Sequence, residues 1–114
     1  MNINTYKYHL RPEYKSENLL IEFFSGVENE KFLSELLNSL IEINPKIEGK
    51  TDLWINDEII FKVYSDFGNF LLSKDIWNLA FIISKNQECI HKINSILLND
   101  IRFEKVEVNF GDYK

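Results

Sequence analysis

With one cysteine, Cys89, the chain has no intrachain disulfide available as a staple. Order must therefore come from packing. Two prolines and four glycines leave little material for a linker or a low-complexity tract, and no internal repeat is visible. Arginine occurs only at Arg11 and Arg102, and the formal net charge is −5. Proteins that hold DNA or RNA need clustered Lys and Arg to displace counterions from phosphates, so direct nucleic-acid binding is not expected. Long hydrophobic runs are missing too: Ile76 to Ser84 and Ile59 to Tyr64 are the longest. Both are far short of the ~20 residues that span a bilayer, and both suit buried strands. Met1 to His9 is polar and alternating, without the apolar stretch of a secretory signal. These absences predict a cytoplasmic protein away from membranes.

What is present describes a folded domain. The chain has 114 residues, of which 45% are hydrophobic, 14% aromatic and 27% charged; that aromatic content excludes a disordered tail. A globular chain of this length should bury roughly 65% of its extended surface around one core. A single domain over residues 1–114 is expected.

Periodicity assigns the elements. Ile3 to Leu10 alternates, with Tyr6, Tyr8 and Leu10 on one face, and reads as a strand stopped by Arg11-Pro12. Leu19 to Phe24 is too short to separate strand from helix by period, and Ser25-Gly26 behind it favours a strand. Glu28 to Ile43 spaces Leu33, Leu36, Leu37, Leu40 and Ile41 as a helix, with Glu35, Asn38 and Glu42 on the wet side. Glu28 and Glu30 stand at its start, where the helix dipole favours acid. Val27 is placed to staple onto Phe32, and Asn44-Pro45 ends the helix.

Lys46 to Lys50 reads as a polar connector into a meander. Leu53-Trp54-Ile55 and Glu58 to Tyr64 flank an Asn56-Asp57 turn, Ser65 to Gly68 turns again, and Asn69 to Ser73 returns. Leu79 to Ile83, apolar on both faces, belongs in the middle of the sheet. Asn86 caps a second helix, Gln87 to Leu98, with Cys89, Ile90, Ile93, Ile96 and Leu97 inward and Asn99-Asp100 at its end. Arg102 to Phe110 is a last strand with Val106, Val108 and Phe110 inward. The expected fold is α+β: a mostly antiparallel sheet with a central meander, packed with two helices.

Catalytic patterns find no support. Asp66-Phe67-Gly68 matches three letters of the protein-kinase metal-binding motif, but Asp and Gly are also turn residues, and the other kinase motifs are missing. Cys89 and His91 are two apart on a helix and point to different faces, so they make neither a nucleophile–base pair nor a zinc site. Asp57-Glu58, or Asp100 with Glu104, could share acid–base work only in a common cleft, and solvated surface is the simpler reading. No catalytic residue, metal ligand or cofactor is therefore expected.

Binding has a positive signal. Trp54, Tyr64, Phe67 and Trp77 lie in or beside the meander, close to Asp52, Asp57, Glu58, Asp66 and Asp75. Aromatic anchors among charges are how interfaces concentrate their energy, so these nine residues are the candidate partner contacts. The alternative is that Trp54 or Trp77 caps the core and the acids sit in ordinary turns.

The stretches Thr51 to Ile60, Ser65 to Gly68, Leu72 to Trp77 and Lys105 to Phe110 together resemble the small immunity proteins encoded beside bacterial polymorphic or contact-dependent toxins. The resemblance covers roughly the second half of the chain and lies in size, acidity, element order and aromatic–acidic turns. It implies a partner: a cognate toxin domain, often a nuclease, whose basic active-site cleft an acidic surface would occlude. The competing expectation is a scaffold or interaction domain, homodimeric through an exposed first or last strand.

Overall fold

Alternation of apolar and polar side chains sets the first strand, β1 (Tyr6–Pro12), in which Tyr6, Tyr8, Leu10 and Pro12 are buried. The computed structural model describes residues 5–53 and 58–113, the side chains of 52 and 53 excepted. Among the described residues there follow β2 (Leu19–Ser25), α1 (Phe32–Ser39), β3 (Lys46–Leu53), β4 (Glu58–Tyr64), β5 (Phe70–Lys74), β6 (Ala80–Ile83), α2 (Gln87–Leu98) and β7 (Phe103–Lys105). The strands form one sheet in the order β3-β4-β5-β6-β2-β1-β7. Every neighbouring pair is antiparallel except β1 with β7, which is parallel. The fold is α+β with a mostly antiparallel sheet and two helices, as the periodicity predicts. No helix among the described residues is long and apolar enough to cross a membrane.

The chain crosses from the β1–β2 hairpin to the far edge through α1, and the β3–β6 meander returns until β6 pairs with β2. Register places Ile21 against Ile82 and Phe23 against Ala80 at that junction. Ala80, the sole alanine of the sequence, is fully buried there. One face of the sheet, with Tyr6, Tyr8, Phe23, Phe70, Leu72 and Ile82, joins Phe32 and Leu36 of α1, Leu40 just past its end and the full predicted stripe of α2 in one core. Phe32 packs edge-on to Tyr6 and Phe23, ring centroids 5.2 Å from each. Asn86 caps α2 as expected, its side chain accepting from the Glu88 N–H.

Several boundaries differ from the sequence reading. The helix expected over Glu28–Ile43 is only Phe32–Ser39. Residues 26–31 are spent in turns: Gly26 has φ +88°, the Asn29 and Phe32 N–H groups donate to the carbonyls of Gly26 and Asn29, and the Asn29 side chain accepts from the Lys31 N–H. Glu28 and Glu30 therefore precede the helix. After Leu40 the chain tightens into a 3₁₀ turn, Ile41–Ile43. Three residues per turn bring Ile43 beneath Leu40 into the core and turn Ile41, expected inside, outward to 67% exposure.

Lys46 to Lys50 is no connector but the first part of β3. An edge strand meets water along its length, so its polar composition is compatible with pairing. β1 runs through Arg11 to Pro12, because β7 reaches only as far as Tyr8 and leaves Pro12 a neighbour on one side alone. The last strand ends at Lys105 rather than Phe110. The Val106 N–H still donates to the Tyr8 carbonyl, but the Val106 carbonyl accepts from the His9 imidazole, which ends the ladder. Phe110, expected inside, opens a second 3₁₀ turn (Phe110–Tyr113) and is 44% exposed. The first strand is interior, so the sheet edges are β3 and β7. The proposed Leu53-Trp54-Ile55 strand and Asn56-Asp57 turn fall largely on residues outside those described.

Glu35, expected on the wet side, belongs to a polar tie between elements. Arg102 grips Asp100 through Nε and a terminal nitrogen at 3.0 and 2.7 Å. It also lies 3.6 Å from Glu35, which accepts from the Tyr6 hydroxyl at 3.0 Å. These contacts join the end of α2 to α1 and β1. The Arg102 hydrogen bonds hold the Asp100 carboxyl down, from 3.8 to about 2.

Two outcomes are expected. A carboxyl that ionises more readily when folded stabilises fully above its unfolded pKa, and loses that contribution as pH falls from about 4 through about 2. Arg102→Gln should therefore cost on the order of 2 kcal/mol at pH 7 and much less at pH 2, measured by urea unfolding. Ala80→Leu should destabilise by about 1–3 kcal/mol or more by overpacking the β6–β2 junction, and an unchanged midpoint would show that the junction is loose.

Candidate partner-binding surface

The seven candidate residues among those described do not form one patch. β4 runs from Glu58 to Tyr64, six strand steps or roughly 20 Å, and separates them into two groups. Register puts Asp52 opposite Ile59, and Ile59 opposite Lys74, so Asp52, Glu58, Asp75 and Trp77 share one end of the sheet. Tyr64, Asp66 and Phe67 stand at the other end, beyond β4. Trp54 and Asp57 lie outside the described residues.

At the second end Tyr64 and Phe67 are 47% and 41% exposed, while Asp66 and the backbone of the turn serve the fold. The Asp66 carboxylate accepts from the Asn44 side-chain amide at 2.8 Å, and its backbone N–H donates to the Ile43 carbonyl at 2.8 Å. Asn86, the cap of α2, donates to the Phe67 carbonyl at 2.9 Å. Gly68 has φ +117°, and a Cβ there would stand 2.6 Å from the Asn86 side-chain nitrogen, so this turn requires glycine. Lys92 of α2 sits 5.1 Å above the Phe67 ring. The kinase-like Asp66-Phe67-Gly68 triplet is thus a turn latched to the start of α2.

The first end differs. Between β5 and β6, Asp75 folds the chain over itself: its Oδ1 accepts from the N–H groups of Trp77 at 2.9 Å and Leu79 at 3.2 Å. Its own N–H donates to the Leu79 carbonyl at 3.0 Å, and Asn78 takes the left-handed conformation at φ +58°. Asp and Asn do this readily because a short side chain can stand in for a backbone acceptor and tolerates positive φ. Asp75 therefore acts as the brace of the turn. The turn presents Ile76, 53% exposed, and Trp77, 76% exposed, side by side. Sequence reading misses Ile76, because the apolar run Ile76–Ser84 suits a buried strand. The signal was there in Asp75 and Asn78, which bracket the pair as turn formers.

Charge around this tip is mixed. Asp52, Glu58 and Asp75 are interleaved with Lys50 and Lys74, so the net charge of −5 is not gathered here into a field of one sign.

Elsewhere the chemistry is quiet. Cys89 is buried, with its Sγ 3.8 Å from Ser65 Oγ; burial pushes the thiol pKa up against the opposing hydrogen bonds of Ser65 and Ser84. His91 is exposed on another face. Asp100 is held by Arg102, and Glu104 is 3.7 Å from Lys7, so the two carboxylates share no cleft. Among the described residues no group of His, Cys, Asp and Glu could hold a metal ion. A hollow of ≈ 720 Å³ beside the C-terminal turn is lined by Pro12, Lys15, Ser16, Glu17, Leu19, Phe110 and Tyr113.

The chain matches no protein-family model, no curated protein and no solved structure.

The tip separates support from display. Asp75→Ala removes the acceptor of two N–H groups and should cost about 1 kcal/mol or more of stability. Trp77→Ala, at a side chain mostly in water, should stay within about 0.5 kcal/mol of wild type in the same unfolding assay.

Proposed function

We propose that this chain works by binding another protein, without catalysis, and that its partner is a bacterial toxin domain that it neutralises as an immunity protein. The observation that carries the binding reading is the Ile76–Trp77 tip. A large aromatic and a β-branched side chain stand in water on a turn whose geometry is fixed by three hydrogen bonds of Asp75. Exposing them has no return within the fold. Against a partner, a rigid anchor loses little side-chain freedom on burial, and Trp is among the residues most enriched at interface hot spots. The toxin identity rests on the resemblance described above, together with acidity.

In this reading Ile76 and Trp77 enter an apolar recess at the rim of the toxin's active site, and the body of the sheet blocks access to it. The acids at that end of the sheet contribute to encounter. The interleaved lysines keep this contribution modest, so affinity rests on the aromatic anchor.

Co-purification of the tagged chain from its source bacterium, at low and at high salt, is the direct test. A stoichiometric basic fragment of a large secreted protein supports the proposal; a chain that returns alone under both conditions contradicts it. With the partner in hand, Trp77→Ala should speed dissociation about 30-fold or more, the size of a hot-spot loss of ~2 kcal/mol. Neutralising Asp52, Asp57 and Glu58 together should slow association only a few-fold at low salt, roughly as rim charges do. The reverse ranking would displace Trp77 as the anchor.

A further inference from the structure

The two edges of the sheet are unequal. β7 has three residues, whereas β3 has eight, and its described side chains are largely in water. An exposed edge of that length can pair with another strand, and proteins commonly blunt such edges with bulges and lysines. β3 has both devices, but the bulge lies between Ile47 and Gly49, leaving Gly49–Leu53 in regular register with β4. Gly49 closes that bulge, a place where strands commonly carry glycine. It does not have positive φ, and a Cβ placed on it would meet nothing within 4 Å. With no side chain at that point, the edge leaves room for another strand to come alongside.

Charge selects which chain. We infer that Gly49–Leu53 pairs with the same segment of a second copy, antiparallel about a twofold axis through Thr51, so that the two sheets become one. A twofold normal to the sheet keeps each residue on its own face, which limits this stretch to three centres. Centred on Lys50, two lysines stand opposite; centred on Asp52, two aspartates do. Centred on Thr51, Lys50 meets Asp52 of the second copy twice over, and threonine meets threonine. Opposite charges and Thr–Thr pairs are favourable across antiparallel strands, and like charges directly opposite are not. Lys50 and Asp52 hold register positions on one face, opposite Phe61 and Ile59. The charges that discourage foreign strands thus favour this one register.

Five residues a side make a small interface, below the area typical of stable complexes, so the dimer is weak, with a Kd of roughly tens to hundreds of micromolar. The test needs only the full chain, with no partner, so its outcome is independent of the toxin-binding proposal. Sedimentation velocity up to about 1 mM should show mass rising from 13.6 kDa towards twice that value. Lys50→Asp and Asp52→Lys should each raise Kd about tenfold or more, and the double reversal should restore it to within a few-fold of wild type. Both positions lie on an exposed edge strand, and circular dichroism checks that the variants fold. A second variant reads the register directly. Cys at Thr51→Cys would face its copy with Cα atoms roughly 4.5–5.5 Å apart, inside disulfide reach, and should cross-link on mild oxidation. Lys46→Cys, five positions from the axis and so about 33 Å from its copy, should not. Buried Cys89 does not compete. A wild type that stays monomeric, a double reversal that fails to restore the dimer, or cross-linking at 46 in place of 51 overturns the inference.

Discussion

Three residue pairs carry the sheet from one half to the other: Ile21 with Ile82, Glu22 with Phe81, and Phe23 with Ala80. On one side lie β1, β2 and β7, and on the other the β3–β6 meander, so without these pairs the sheet would be two pieces. The seam holds because its core face is closed from above. Ile21, Phe23, Ala80 and Ile82 are all fully buried, in one cluster with Ile90 and Ile93 of α2 and Phe32 of α1. Burying an aliphatic side chain of this size is worth about 1.5–3 kcal/mol, roughly twice the net value of one hydrogen bond, so packing more than the short ladder decides that the halves join. The opposite face of the seam is held differently. Arg11 pairs with Glu22 at 2.8 Å and lies 4.8 Å from the Tyr113 ring, bringing the C-terminal turn down beside β1.

That dependence explains which parts of the fold were legible in the sequence. The α2 stripe and its Asn86 cap could be read residue by residue, because a buried amphipathic helix leaves a full period in the sequence. β4 and the central place of β6 were legible for the same reason, an apolar pattern imposed by burial. The misread segments are those whose order comes from a partner far along the chain. β3 is a strand because β4 accepts it, and nothing in Lys46 to Lys50 says so. The late start of α1 depends on Gly26 adopting positive φ and on the Asn29 turn, where local hydrogen bonds outcompete helical ones. β7 stops early because His9, almost a hundred residues away, takes the Val106 carbonyl.

The candidate surface followed the same rule. Aromatic and acidic residues in the meander were visible, but their partition between two ends of β4 depends on strand direction, which composition does not encode. Asp66 and Asp75, read as partner contacts, also brace turns, while Ile76, read as core, is displayed beside Trp77. A brace and its display form one device: the carboxylate that holds the turn makes the exposed aromatic rigid. One arm of the tip leads into β6, which buried Ala80 and Ile82 pin at the seam.

The seam makes one cooperative unit of the two halves, and native-state hydrogen exchange tests this directly. If it holds, the slowest amides of β2 and of the central meander, among them those of Ile21 and Ile82, will share a single opening free energy equal to that of global unfolding and will respond together to low urea. If the slowest meander amides instead exchange through an opening of lower free energy, while β1, β2 and α2 stay closed, the halves are separate units and the seam does not hold the fold together.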